Sequence, residues 1–287
     1  MTAPRCPRAL GAAVAGLVLA GAVPAVSAAS PAAMRLKASV AADARLGEPT
    51  ALRLQLHLDR RRGAVARRLT LRYAAGIDII GSGLGLATCR PSPATFAAVA
   101  IDPLPVRAGC PANAVIAIGR ARGQIRLHPP TITQTATFTL LAGPLDPTGL
   151  KVVGLVTGIN PFGANLVYAG MVTADRGPFG GRIDVALPRI PDVFPDDTSD
   201  VALLDVDATI GSKAIVYQRR DRRGRVRRWH PDGPILPARC PRGGLPFRAE
   251  VLLSDGATIT ATARATCPPR ARPRTPGDGA EPRAASR

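Results

Sequence analysis

The amino-acid sequence predicts an all-β protein, built as an antiparallel β-sandwich and stapled by disulfides. Three observations support this fold class. Short stretches of alternating apolar and polar residues recur along the chain, with turn-forming residues between them. Glycine and proline number 29 each in 287 residues, so long helices are not expected. Five cysteines are encoded, and removal of an N-terminal segment would leave an even number.

The N-terminal segment has the features of a secretory signal peptide. Arg5 and Arg8 precede an apolar run over residues 10–23, and small residues follow at 25–28. A run of this length is too short to indicate a membrane span and is typical of a signal peptide. We therefore predict a signal peptide over residues 1–29, with an uncleaved membrane anchor as the alternative. The mature chain is expected to be secreted, extracellular or associated with the cell envelope, with no further transmembrane span.

Cleavage of that segment would remove Cys6, and the remaining cysteines are Cys89, Cys110, Cys240 and Cys267. Four cysteines allow three pairings, of which we predict the sequence-local one, Cys89–Cys110 with Cys240–Cys267. Each bond would then close a loop of a few tens of residues and contribute about 3–4 kcal/mol by the loop-entropy model. The absence of a CxxC pair and the presence of only three histidines favour disulfides over a zinc site. No metal and no cofactor is expected.

The predicted strands form one large domain over residues 33–268. Its clearest strand covers residues 50–59, where Leu52, Leu54, Leu56 and Leu58 alternate with polar residues. The complete series covers residues 50–59, 67–73, 77–80, 131–141, 151–157, 165–173, 182–187, 201–210, 214–219, 225–229, 246–253 and 257–266. Many short strands with regular turns indicate an immunoglobulin-like or related sandwich.

Two segments outside the strands bear on the domain organisation. Residues 188–199 are rich in proline and aspartate and are predicted to form a linker or a long crossover, so the alternative is two domains joined there. Residues 269–287 contain Pro, Arg, Ala and Gly without periodicity, which predicts a disordered basic tail at the C-terminus.

A row of threonines lies on the strand at residues 131–141. Thr131, Thr133, Thr135, Thr137 and Thr139 share one face of that strand. Such a row could match an ice lattice, but ice-binding surfaces need stacked copies, and the chain has no internal repeat. The favoured interpretation is a solvated strand face, because threonine is β-branched.

The chain is a basic protein with a formal net charge of +18, and 35 of its 38 basic residues are arginine. The arginine bias is typical of a GC-rich genome, yet the charge attracts polyanions whatever its origin. Outside the cell those partners would be anionic wall polymer, lipid headgroups or extracellular DNA.

The charge is concentrated in one predicted hairpin. Its turn is Asp221-Arg222-Arg223-Gly224, and its arginines lie at the tip and on the adjacent strand ends. Tyr217 and Trp229 flank them and are expected to stack on a base or a sugar. The candidate polyanion-binding residues are Arg219, Arg220, Arg222, Arg223, Arg225, Arg227, Arg228 and Trp229. The competing interpretation is a solvated hairpin whose arginines protect the strand edge from pairing.

An acidic stretch lies between residues 192 and 207. It contains Asp192, Asp196, Asp197, Asp200, Asp205 and Asp207. Convergent carboxylates could hold calcium, although no EF-hand spacing is present. The alternatives are a counter-charge to the hairpin or a solvated loop.

No catalytic motif stands out, so no catalytic residue is predicted. Ser82 lies in Gly81-Ser82-Gly83, which lacks the first glycine of the G-x-S-x-G elbow. His57, His128 and His230 are widely separated and are interpreted as surface residues. The glycines at 81–85 do not have dinucleotide-binding spacing.

A weak resemblance accompanies these features. The segments Cys89-Arg90-Pro91 and Cys240-Pro241-Arg242-Gly243-Gly244, the turn Asn160-Pro161-Phe162-Gly163, the signal and the arginine hairpin resemble those of secreted β-sandwich proteins of high-GC soil bacteria. That group brings no known activity, so the resemblance assigns no functional residue.

The leading hypothesis is a secreted, non-enzymatic binding or cell-envelope-associated protein whose hairpin arginines bind a polyanion. The alternative from another class is a secreted hydrolase with an acidic or metal-dependent site near residues 196–207. A third is a purely structural exoprotein domain.

Overall fold

A computed structural model describes residues 34–59, 65–90, 110–126, 131–161, 163, 165–187 and 200–270. The described residues form one compact unit. The described residues contain thirteen β-strands and one short 3-10 helix, Ala112–Ala114, so the all-β prediction is confirmed. The strands are β1 Met34–Val40, β2 Leu52–Leu58, β3 Ala66–Ala74, β4 Val115–Arg126, β5 Thr131–Asp146, β6 Gly149–Asn160, β7 Asn165–Ala174, β8 Phe179–Ala186, β9 Asp200–Ile210, β10 Tyr217–Arg220, β11 Val226–Trp229, β12 Leu245–Leu253 and β13 Thr258–Ala265.

Eleven strands form a single antiparallel sheet in the order β1-β2-β9-β4-β5-β6-β7-β8-β3-β12-β13. Its two edge strands contact each other, and Lys37 and Ser39 of β1 line a groove with Ala263 and Arg264 of β13. The sheet therefore has barrel-like curvature, and the two separate sheets of an immunoglobulin-like sandwich are not confirmed. The right-handed twist of each strand accumulates over so many strands and curls the sheet.

The alternation of residue types separates the two faces of this sheet. Leu52, Leu54, Leu56 and Leu58 of β2 are buried on the concave face, as their spacing predicts. The same alternation continues on β12, whose Leu245, Phe247, Ala249, Val251 and Leu253 are buried. On β5, the threonines at 131, 133, 135 and 137 are exposed, in accord with a solvated strand face. Polar and charged side chains thus lie on the convex face of β2 and β5.

Two connections add apolar side chains to the core. Ile77, Ile79 and Leu84 follow β3, Leu236 follows β11, and all four are buried with the strand side chains. Residues 77–80, predicted as a strand, form instead a turn with one isolated bridge, between Asp78 and Ile235. The N–H of each of these two residues donates to the carbonyl of the other at 2.9 Å. Ile77 and Ile79 are therefore buried without joining the sheet, whereas Ile80 is exposed.

Both predicted disulfides are present. Cys89 pairs with Cys110 and Cys240 pairs with Cys267. The first bond is buried on the convex face, where it packs in a second apolar cluster with Leu141, Val153 and Val167. The two disulfides indicate an oxidising compartment.

Several predicted segments lie outside the described residues. They are the signal peptide, the linker at residues 188–199, and the part of the basic tail from residue 271 onward.

Candidate functional site

The arginine-rich segment forms a two-stranded hairpin separate from the main sheet. Strands β10 and β11 pair antiparallel, with Tyr217 opposite Trp229 and Arg219 opposite Arg227. Asp221 closes the turn, because its Oδ1 accepts the backbone N–H groups of Arg223 at 2.9 Å and Arg225 at 3.0 Å. Gly224 completes the turn at φ 76°, a conformation that favours glycine.

The Asp221 carboxylate is held in its ionised form. Desolvation alone would raise its pKa, but hydrogen bonds from the N–H groups of Arg225 and Arg223 and from the Arg225 side chain outweigh it, so the pKa is lowered. The turn therefore contains a stable anion that fixes its geometry and neutralises one arginine.

The hairpin carries a dense and largely uncompensated positive charge. Residues 217–230 contain seven arginines and one acid, Asp221. All seven arginines are exposed. Among the described residues, Arg225 alone of the seven forms an ion pair, with Asp221 at 3.0 Å. Arg219 and Arg227 are direct cross-strand neighbours, and like charges in that position destabilise a strand pair.

Tyr217 anchors the hairpin to the rest of the molecule. Its side chain is fully buried, its hydroxyl donates to the carbonyl of Val115 at 2.6 Å, and it accepts the N–H of Gly85 at 2.8 Å. Desolvation raises the pKa of this hydroxyl, which keeps it protonated as a donor. The expectation that Tyr217 stacks on a ligand is therefore wrong, because its ring is inside the protein.

Trp229 and Asn113 complete the anchor. The Trp229 ring is partly buried and meets the Tyr217 ring edge to face, with centroids 5.9 Å apart. The Asn113 side chain bonds both the N–H and the carbonyl of Gln218, each at 2.9 Å, and so pairs with the edge of β10. Sequence reasoning missed Asn113, since a single asparagine in a loop gives no pattern.

The acidic side chains of β9 lie elsewhere, on the convex face of the main sheet. Asp205 accepts hydrogen bonds from Arg122 Nε at 2.7 Å and contacts His57 Nδ1 at 2.5 Å. Asp207 accepts from Arg53 Nε at 2.9 Å and from Gln55 at 3.1 Å. Asp205 and Asp207 therefore neutralise arginines of β4 and β2, and not those of the hairpin.

This acidic row offers no metal cage within the part of the chain that the structure describes. No group of three or more His, Cys, Asp or Glu side chains is close enough to hold an ion there. Asp192, Asp196 and Asp197 lie outside the described residues, and so does His128. His230 Nδ1 lies 3.1 Å from the carbonyl of Ile215, and Ser82 Oγ donates to the carbonyl of Ile79.

Ionisation of the acidic row should make the protein sensitive to acid. Desolvation alone would raise the pKa of Asp205, but hydrogen bonds from His57 and Arg122 outweigh it; the Arg53 bond lowers the pKa of Asp207. A lowered folded pKa gives stability that is present above the unfolded value near 4 and lost as the pH falls through the folded pKa. We expect the variant Asp205→Asn/Asp207→Asn to lose part of this acid dependence and about 1 kcal/mol at neutral pH. Urea unfolding at several pH values measures the acid dependence and the stability at neutral pH. An unchanged pH dependence in the variant would show that Asp205 and Asp207 are not its cause.

No helix among the described residues is long and apolar enough to cross a membrane. No protein-family model, curated protein or solved structure matches the chain.

Proposed function

We propose that this protein is a secreted or envelope-associated binding protein, without catalytic activity, whose hairpin β10–β11 binds phosphate-bearing polyanions. The observation that carries the proposal is the hairpin itself, with seven exposed arginines and one acid on an anchored scaffold. Secretion is supported by the N-terminal sequence and by the two disulfides.

Arginine is suited to this partner. Its planar guanidinium presents five donors in a fork that matches two phosphate oxygens at once. The opposed Arg219 and Arg227 repel each other in the unbound protein, and an anion between them would relieve that repulsion. Binding would release counterions from the polymer, so affinity should fall steeply with salt.

The test is retention of the chain from residue 30 onward on immobilised DNA, on a cell-wall polymer and on vesicles of anionic lipid, each over a salt series. The hairpin variant replaces Arg219, Arg222, Arg223 and Arg227 by Gln and leaves the Asp221–Arg225 pair intact. We expect salt-sensitive retention of the native protein and at least tenfold weaker binding of the variant.

A second variant controls for net charge. It replaces Arg35, Arg90, Arg176 and Arg239, four exposed arginines on other parts of the surface, by Gln. It removes the same total charge but should bind nearly as well as the native protein. Equal loss in both variants would show that binding depends on overall charge, and the hairpin would not be a site.

A further inference from the structure

The curved sheet encloses a cavity of about 250 Å³. Side chains from ten strands line it on the concave face, among them Leu54, Leu71, Ala121, Phe138, Val156 and Val206. Several of these, including Leu71, Ala121 and Val156, are only partly buried although they point to the interior. The sheet thus surrounds accessible apolar surface, and its interior is not completely filled by its own side chains.

The lining offers little to hold water. Among the described lining residues, Gln134 has the only amide side chain, and its Nε2 donates to the carbonyl of Thr135 at 2.8 Å. Tyr168 adds a hydroxyl, and its burial raises its pKa, so the group stays neutral. A buried water needs two to four polar partners. Water in this cavity would have few, so an apolar guest would displace it favourably.

Two aromatic rings lie along the wall, where they leave the interior open. Phe138 is the cross-strand partner of Gly119, and Tyr168 is that of Gly154. A Cβ atom on Gly119 would lie 2.3 Å from the Phe138 ring, and one on Gly154 would lie 2.0 Å from the Tyr168 ring. Each ring therefore lies over a glycine of the adjacent strand. A larger residue in place of that glycine would occupy the position of the ring.

The dimensions favour a single chain over a fused ring system. On β5 the lining runs from Gln134 to Leu140, seven residues that span roughly 20 Å at the usual strand rise. The volume is below the roughly 300–1,000 Å³ of pockets for drug-sized ligands. A long, narrow space with mostly aliphatic walls fits one extended hydrocarbon chain.

We propose that the interior of this curved sheet is a binding site for one aliphatic chain, such as that of a fatty acid or a fatty alcohol. Burial of the chain against Leu, Val and Ala side chains supplies the affinity. This site uses the concave face of the main sheet and none of the hairpin arginines. A test of aliphatic-chain binding is therefore independent of a test of polyanion binding.

The experiment titrates the delipidated protein from residue 30 onward with dansyl-labelled undecanoic acid and follows the blue shift of the dansyl emission. Unlabelled dodecanoic acid and dodecanol then compete, which separates a carboxylate-dependent site from one that needs the hydrocarbon alone. We expect saturable binding by the native protein and displacement by at least one competitor. Absence of saturable binding would overturn the proposal.

Two cavity-filling variants, Ala121→Phe and Val156→Phe, are compared with Ala186→Phe, which places the same ring on the exposed convex face of β8. We expect each filled variant to bind the probe at least tenfold more weakly, and the control to bind as the native protein does. Thermal unfolding of each variant without ligand identifies any variant that fails to fold. If one of the two cavity-filling variants fails to fold, the probe affinity of the other one tests the proposal. Unchanged affinity in a folded, filled variant would overturn the proposal.

Discussion

Replacing Tyr217 by alanine should lower the free energy of unfolding by about 3–5 kcal/mol, the usual range for a large aromatic residue in a core. The side chain is fully buried and joins three separated parts of the chain, since its hydroxyl bonds Val115 and Gly85. The change would leave a cavity, an unpaired N–H and an unpaired carbonyl. Urea unfolding followed by circular dichroism measures the loss.

The variant Tyr217→Phe separates packing from hydrogen bonding. It keeps the ring and removes only the hydroxyl, so we expect a loss of about 1–3 kcal/mol from the unpaired groups. Polyanion affinity of this variant should remain near the native value as long as it is folded. A destabilisation below about 1 kcal/mol for Tyr217→Ala would show that the hairpin is not anchored as described.

Removal of the Cys89–Cys110 disulfide should lower the free energy of unfolding by more than the loop entropy alone predicts. The two cysteines are 21 residues apart, which corresponds to about 3 kcal/mol. They are also buried against Leu141, Val153 and Val167, so Cys89→Ala/Cys110→Ala loses packing on the convex face as well. Denaturant unfolding of the double variant gives the value.

The second disulfide is the matched control. Cys240 and Cys267 are 27 residues apart, so loop entropy alone ranks this bond slightly above the first. Cys240 is exposed, however, and Cys267 is only partly buried against the main core, so their replacement would remove less packing than that of the first pair. We therefore expect Cys240→Ala/Cys267→Ala to be the milder change. The reverse order would contradict the account of the convex-face cluster.

The sequence predicted the elements in which apolar residues are large and alternate strictly. The leucines of β2 are one example, and Ile132, Phe138 and Leu140, which alternate with the threonines of β5, are another, because burial of one face forces a period of two. Strand β4 was missed. Its concave positions include Ala117, Gly119, Ala121 and Gly123, which are too small to give an apolar signal.

The shape of the sheet was not predictable from alternation. Residues that point inward have the same pattern whether two sheets pack face to face or one sheet curls on itself. Strand number and pairing decide between these arrangements, and both depend on residues distant in sequence, such as those that join β1 to β13. The interior cavity has no sequence signal for the same reason.

The charge of the candidate site could be predicted from the sequence, but the contacts that attach the hairpin to the rest of the protein could not. The seven arginines and the turn at Asp221–Gly224 are visible as a local pattern. The support comes from Tyr217 and Asn113, whose partners lie about a hundred residues away or more. A tyrosine beside arginines looks like a stacking platform until the fold places it inside.

The most direct test of the central claim is the salt dependence of binding to a short DNA duplex. The logarithm of the affinity is plotted against the logarithm of the salt concentration for the native protein, for the hairpin variant and for the control variant in which Arg35, Arg90, Arg176 and Arg239 are replaced by Gln. Removal of one arginine that neutralises a phosphate should make the slope shallower by about 0.9. We predict that the hairpin variant is shallower by about two to four such steps, while the control keeps the native slope. Parallel lines for the native protein and the hairpin variant would contradict a binding site on the hairpin.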